Sequence, residues 1–467
     1  MANLFRFNKR TLRPTPFPFQ SSRNMKRRKF IQEGLLLAGA LTLGHPTVQG
    51  KTKKKTATLH KDCVEEPARQ VPILLESDVL VVGGGPSGVA AALSAARMGM
   101  KTCLVERYNH LGGLWTGGLV LPLNCTHGLS REAQRTQVIH GISGEITDRL
   151  RRLNMVRGEV NPLVDPEACK YVLEKMMQEA GVTVVYHAWA AGAVMDGRTI
   201  RGIFAESKSG RRALLAKVVI DCTGDGDVFH WAGEKYLEAR YAIGMEARLG
   251  GTDRVNHNAP GYKPHGLGAQ TPIPGVTWHY MWGDAKQDGL DVMNLSRLQQ
   301  KFRLKIWEDV EKLRQQPGYE QVFLLDTASQ LGIRTTRILN GCYQLTLKDT
   351  MTYRNFDDCI GVSGAYTTIN YDGRKVPEKE RPYWQIPYRA LLPRHTDNLL
   401  VAGRCFSYEE ALTDDAREIG TCLVTGQGAG TAAALAIKGN DAVRNVNTAQ
   451  LRSELEAQGV WFDPHNK

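Results

Sequence analysis

Between Ser77 and Glu106 the spacing of apolar positions changes period twice within about thirty residues. Residues 78–82 (Asp-Val-Leu-Val-Val) form a short β-branched run that predicts a strand. Gly83-Gly84-Gly85-Pro86-Ser87-Gly88 follows, then small and apolar residues at helical spacing from Ala90 to Met98, closed by Gly99. Thr102 to Val105 predicts a second strand, ending in Glu106. The order strand, glycine turn, helix, strand, acid is a βαβ unit. Farther on, residues 182–186, 199–206 and 213–220 read as strands, and residues 165–180 as a helix capped by Asp165 and ended by Gly181. Residues 238–385 change character: loop-rich stretches surround one amphipathic helix with Leu295, Leu298, Phe302, Ile306, Val310 and Leu313 on one face, stopping at Pro317-Gly318. The α/β pattern returns at 398–402 (Asn-Leu-Leu-Val-Ala), followed by a glycine-punctuated helix over 420–437. The expected organisation is a leader and linker over 1–76, a nucleotide-type α/β domain in two pieces (77–237 and 386–440), an inserted second domain over 238–385, and a C-terminal helix and tail over 441–467.

Composition changes this picture in one place. The net charge of +12 suggests a nucleic-acid or membrane partner until it is located. Residues 1–61 hold fourteen Lys or Arg and one acid, Glu33; the rest of the chain carries 46 basic and 47 acidic residues. The body is neutral, and nucleic-acid binding loses its main argument. From Met25 the leader reads Met-Lys-Arg-Arg-Lys-Phe-Ile-Gln, then an apolar run of about ten residues, too short for a bilayer span of ~20 helical residues. Arg27 and Arg28 resemble a twin-arginine export motif, with Lys26 where Ser or Thr is usual. The expectation is an exported protein with no stable membrane span. Nine cysteines are spread without a C-x-x-C pair or a metal-spaced cluster, so neither a disulfide scaffold nor a metal site is expected.

The glycine turn carries chemistry. Gly83 permits the tight turn, Gly85 lets backbone approach a pyrophosphate, and Gly88 allows close packing of helix on sheet, with Pro86 and Ser87 opening the helix. Glu106, 18 residues after Gly88, stands where a carboxylate accepts ribose hydroxyls, with Arg107 beside it. Gly112-Gly113 sit six residues beyond the acid, a spacing that resembles the glutathione-reductase-type FAD proteins and so implies FAD rather than a nicotinamide nucleotide. Two further strand-to-glycine elements support this: Lys217–Val228, with Thr223, Gly224 and Asp225, and Asn398–Arg404, ending in Gly403 and Arg404. There is no second G-x-G-x-x-G with a following acid, so a built-in NAD(P)H domain is not expected.

Over residues 77–437 the chain resembles the FAD-dependent oxidoreductase family with a glutathione-reductase-like FAD fold. The resemblance rests on GGGPSGVAAALSAARMG, VERYNHLGGLWTGGL, VVIDCTGDGDV, GMEARLGG, GIRTTRILNGCYQL, PYRALLPRHTDNLLVAGR and AREIGTCLVTGQGAGTAAALA. It implies an α/β FAD-binding domain with an inserted α+β substrate domain, and flavin contacts from Gly403, Arg404, Gly426, Gln427 and Gly430. Where similar proteins carry Tyr-Pro-Ile-Asp-Ile-His, this chain reads Tyr366-Thr-Thr-Ile-Asn-Tyr371.

Flavin chemistry needs a substrate carbon held near N5 and a group that moves a proton. His127, in Leu-Asn-Cys-Thr-His-Gly, is the first candidate proton carrier, Tyr371 the second, and Arg417 the candidate anchor for a substrate carbonyl or carboxylate. Arg417 could equally form an ion pair with Asp414 or Asp415; Arg334 and Arg337 could form an anion clamp or a domain-interface salt bridge. Glu409 and Glu410 read as loop carboxylates, and nothing selects His110 or Cys125 for covalent flavin attachment. The expected function is hydride transfer between flavin N5 and a small polar substrate, a sugar or hydroxy acid, with a quinone, a redox protein or oxygen as electron acceptor. The alternatives are a respiratory-type reductase of C=C or C=O bonds and a non-enzymatic flavin electron carrier.

Overall fold

The computed structural model describes residues 58–463, apart from 131, 367–372 and 378–379; the leader with Arg27 and Arg28, and Tyr371, lie outside the described residues. The chain divides into two compact units. Within the first, Met1–Arg69, a small hairpin pairs Thr58–Leu59 with Val64–Glu65. The second runs from Gln70 to Lys467.

The second unit is built on a seven-stranded sheet. Strand β1 (Ile73–Val82) leads through the glycine turn into helix α1 (Pro86–Arg97) and returns as β2 (Thr102–Val105). Helices α2 (Ile142–Arg152) and α3 (Pro166–Ala180) precede β3 (Thr183–Val185). Three strands follow: β4 (Trp189–Asp196), β5 (Thr199–Glu206) and β6 (Arg212–Asp221). In the parallel part β6, β1, β2 and β3 lie side by side, with Val219 beside Leu80 and Val81 beside Leu104. Strands β4 and β5 form an antiparallel extension on the first half of β6. Such a sheet is covered on both faces, which is why its central strands are continuous apolar runs rather than alternating ones. Val79, Leu80, Val81, Leu104, Val219 and Ile220 are all within 2% of complete burial.

A second, antiparallel sheet centres on β7 (Tyr241–Gly250), flanked by β8 (Thr277–Gln287). Helix α4 (Val292–Arg314) starts at Asp291, whose Oδ1 accepts the N–H of Met293 and Asn294 at 2.9 and 3.2 Å. The other flank of β7 is β9 (Phe323–Thr327). Leu298, Phe302 and Ile306 of α4 pack on Ile243, Met245 and Ala247 of β7 in a core of their own. The face read from the sequence is the buried one.

The chain then forms β10 (Cys359–Gly364) and β11 (Tyr383–Pro387), and rejoins the first sheet through β12 (Leu399–Val401), parallel to the second half of β6. Helices α5 (Ile419–Gly439) and α6 (Thr448–Ala457) end the described fold. No helix among the described residues is long and apolar enough to cross a membrane. All nine cysteines are free thiols; seven are buried, and Cys63 and Cys342 are exposed.

Candidate functional site

The C-terminal ends of β1 and β6 face one cleft of about 600 Å³, within the range of pockets that hold small molecules and cofactors. The turn after β1 is dictated by contact. Gly83 has φ +103°, and a Cβ there would lie 2.5 Å from the Cys222 carbonyl oxygen; one at Gly88 would lie 1.8 Å from that of Gly83. Gly85 differs: its missing side chain would meet no atom within 4 Å, at the mouth of α1. The first N–H groups of a helix have no intrahelical acceptor, and the dipole favours an anion there. That bare backbone is the surface a pyrophosphate needs.

Glu106 is buried beside it. Its Oε2 accepts the Gly84 N–H at 2.6 Å and its Oε1 the Tyr108 N–H at 2.9 Å, so the carboxylate clamps the turn while bordering the cleft. The Arg107 guanidinium lies over the rings of Tyr108 and Trp189, 4.9 and 4.8 Å from their centroids. On β6, Asp221 shapes the second loop: its Oδ1 accepts from the N–H and hydroxyl of Thr223, and its Oδ2 from the N–H of Val228 and Phe229. Burial raises the Asp221 pKa to about 6. Arg404 Nη2 donates to Asp225 Oδ1 at 2.6 Å, and Thr336 Oγ1 donates to the same oxygen at 3.0 Å.

Gly83, Gly85, Pro86, Ser87, Glu106, Arg107, Gly113, Thr223, Gly224, Asp225 and Arg404 therefore border one cleft. Gly88 and Gly112 support it from behind; the Gly112 N–H donates to the Gly84 carbonyl at 2.8 Å. The bare Gly85 backbone, the helix mouth and the Glu106 carboxylate fit the pyrophosphate and ribose of a dinucleotide.

Four residues assigned to flavin contact sit elsewhere. Gly403 donates its N–H to Thr425 Oγ1 at 3.0 Å, behind the cleft. Gly426 and Gly430 face α1 instead, where a Cβ would lie 2.1 Å from the Ser87 carbonyl oxygen and 2.2 Å from that of Ala91. Gln427 Oε1 accepts the Ile142 N–H at 3.1 Å, and its Nε2 donates to Gln458 Oε1. Small residues at this spacing let two helices touch backbone to backbone, a need as strong as that of a ligand.

The far end of the cleft holds Arg334, Arg417, Tyr280 and Glu246. Arg417 borders the cleft and is an ion-pair member: Nε and Nη2 donate to Asp414 Oδ1 at 3.1 and 2.8 Å, and Nη1 lies 3.3 Å from Glu418 Oε1. Arg337 borders the cleft and is also ion-paired, with Nη1 donating to Asp227 Oδ1 and the Asp225 carbonyl, each at 3.0 Å. Arg334 donates Nη1 to the Ala242 carbonyl at 3.1 Å, stacks 5.5 Å from Tyr280, and makes no ion pair among the described residues.

His127 borders a different cavity, of about 320 Å³, with Cys125, Arg135, Tyr366 and Arg381. Its Nδ1 is 3.0 Å from Thr126 Oγ1, and burial, then the charges of Arg135 and His140, lowers its pKa. Glu409 Oε1 accepts the Leu347 N–H, and neither it nor Glu410 borders the cleft. His110 is buried between Leu111, Thr116 and Gln330, also off the cleft. No group of metal-ligating side chains occurs among the described residues.

Glu246 escaped sequence reasoning. It lies in Gly-Met-Glu-Ala-Arg-Leu-Gly-Gly, where the signal was period-2 alternation: Ile243, Met245 and Ala247 enter the core under α4, so Gly244, Glu246 and Arg248 take the opposite face.

A glycine turn on a parallel sheet, a carboxylate at the next strand end and a cleft running on to a charged chamber define an α/β FAD-binding oxidoreductase. The chain belongs to the FAD dependent oxidoreductase family, which it matches over residues 78–252 and 251–455. Its cofactor is FAD. It is similar to a digeranylgeranylglycerophospholipid reductase of Picrophilus torridus, 25% identical over 263 residues, which are 52% of this chain and 63% of that protein. A thiamine thiazole synthase of Methanococcus vannielii is 37% identical over 187 residues, 38% of this chain and 67% of that one. Among solved structures, a geranylgeranyl bacteriochlorophyll reductase-like protein from Thermoplasma acidophilum is 17% identical, covering 82% of this chain and 83% of that one with a TM-score of 0.40. The chain thus spans under two thirds of the length of the first of these relatives.

Proposed function

We propose that this enzyme exchanges a hydride between flavin N5 and a small organic acid, with a hydroxy acid or its keto counterpart as substrate. FAD, when bound, supplies hydride exchange at N5. The observation that carries the proposal is the continuity of one cleft from the Gly85 cradle to Arg334, a cleft-facing cation without a carboxylate partner. A cation of that kind recognises a carboxylate through charge-assisted hydrogen bonds, which favours an acid over a sugar. Arg417, held in place by its ion pairs with Asp414 and Glu418, orients the second polar group of the substrate through its hydrogen-bond donors. Residues 238–385 act here as an α+β substrate domain inserted into a glutathione-reductase-like FAD domain. A quinone, a small redox protein or oxygen exchanges electrons with the flavin. A second reading, reduction of C=O or C=C, is supported by the reductase name of the Picrophilus torridus relative.

The test is a titration of FAD-loaded protein with lactate, pyruvate and oxalate, followed by the flavin absorption spectrum. At least one acid perturbs the spectrum of the wild type. A charge-assisted hydrogen bond contributes about 1.5–3 kcal/mol, so Arg334→Ala weakens that binding by about tenfold or more. His127→Ala, whose cavity is a different one, leaves it unchanged. Equal affinity in wild type and Arg334→Ala would remove the acid-binding role.

Export is proposed on Arg27 and Arg28. Replacing both by Lys retains the protein in the cytoplasm, because a folded flavoprotein needs the twin-arginine route. Cell fractionation decides, and delivery of the double variant to the envelope rules the motif out.

A further inference from the structure

We infer that Glu246 is the proton donor of the hydride-transfer reaction and works as a neutral carboxylic acid, in the direction of substrate reduction. The inference rests on the proposed reading of the cleft. Three features place Glu246 in that role. It borders the same cleft as the FAD cradle, on the face of β7 opposite the α4 core. Its side chain is almost fully buried, and Oε2 has no hydrogen-bond partner among the described residues, so the carboxyl has hydrogen-bonding capacity that the fold does not use. Its neighbours are the two cleft arginines, so a substrate anchored there lies beside the Glu246 carboxyl.

The surrounding charges determine its protonation state. Arg334 faces Glu246 from the segment after the short strand Gly332–Ile333, and Arg417 from the approach to α5. From β8 the register partner is Tyr280. From β9 the nearest acid is Asp326, which is paired with Arg248, and α4 brings the uncharged Val292, Leu295, Ser296 and Gln299 to the cleft. Arg417 spends its charge on Asp414 and Glu418. Burial therefore outweighs the pull of Arg334 and Arg417, and the Glu246 pKa rises to about 8. A carboxylic acid held neutral in this way donates a hydrogen bond, and then a proton, that a carboxylate cannot.

Reduction of a carbonyl takes a hydride at carbon and a proton at oxygen. The hydride and both electrons come through the flavin, re-reduced by a quinol or a small redox protein. The proton comes from Glu246: its carboxyl O–H bond breaks as the new O–H bond of the alcohol forms. The resulting carboxylate lies in the field of Arg334, which stabilises it until solvent returns a proton.

FAD-loaded wild type, Glu246→Gln and Glu246→Asp are compared by infrared difference spectroscopy on either side of pH 8. In wild type the band of a protonated carboxyl disappears as pH rises through that value; in Glu246→Gln the transition is absent while FAD content is unchanged. With the keto acid that binds in the Arg334 titration, Glu246→Gln slows its reduction by about a hundredfold or more, the loss typical of a missing general acid. Glu246→Asp keeps an infrared transition but loses rate, because its carboxyl is retracted. A carboxyl already ionised at neutral pH, or a transition that persists in Glu246→Gln, overturns the inference even if the cleft takes an acid. A neutral Glu246 in a cleft that takes no acid overturns instead the reading of the cleft.

Discussion

Gly430→Val should yield little folded, FAD-loaded protein. The site of the clash is backbone against backbone: a Cβ at Gly430 would lie 2.2 Å from the Ala91 carbonyl oxygen, and one at Gly426 2.1 Å from that of Ser87. Neither oxygen belongs to a side chain that can rotate away. Helices α1 and α5 must separate by more than an ångström, and both are buried along this contact. Overpacking of a rigid core costs typically 1–3 kcal/mol and more where backbone must move, so a loss of about 3 kcal/mol or more is expected. That is a large share of a domain's stability of roughly 5–15 kcal/mol. The damage also reaches the cofactor, since α1 carries the Gly85 cradle. Thermal melting and FAD content measure both effects; a variant with wild-type melting temperature and full flavin would show that the helices have slack.

The second large effect is expected at Asp225→Asn. Asp225 and Arg404 have side chains 10% and 14% exposed, and Arg404 loses its anionic partner in the variant. Breaking a buried pair from one side costs about 3–5 kcal/mol, because the remaining charge stays buried without compensation. Although burial opposes ionisation, Arg404, then Arg107, holds the Asp225 carboxyl below its ordinary range. The sign follows from that depression: the stabilisation is present above the unfolded-state carboxylate pKa and is lost as pH falls through the folded one. Urea unfolding at neutral pH should separate wild type from Asp225→Asn, and the gap should narrow on acidification. A gap independent of pH would mean that the carboxylate's charge is not what stabilises the loop.

What was legible in the chain was what depends on short range. The turn from Gly83 to Gly88 is specified by neighbours in sequence, so its geometry and a dinucleotide are legible directly, and Gly112-Gly113 with the family resemblance narrow the dinucleotide to FAD. Helix α4 was equally clear, because its apolar face repeats over six turns of a helix spanning Val292–Arg314. Strand β4 was not: Trp-Ala-Ala-Gly-Ala-Val lacks β-branched density, and the antiparallel pairing with β5 makes it a strand. Gly426 and Gly430 were read as flavin contacts because a small residue looks the same whether a ligand or a helix comes close. Glu246 was invisible for the opposite reason. A carboxylate in a strand ordinarily points to water, and only the meeting of β7 with the segments carrying Arg334 and Arg417 converts that face into the wall of a cleft.

The buried thiols of the second unit have a further use. Cys103 on β2, Cys169 on α3, Cys359 on β10 and Cys405 just after β12 are sealed from solvent, and burial drives each toward its unreactive protonated form. An alkylating reagent reaches each one only during an opening of the element that covers it. The order in which the four acquire a label, followed by mass spectrometry with and without FAD, is therefore a clock of local breathing written into the native chain, and it reports which parts of the fold the cofactor holds shut.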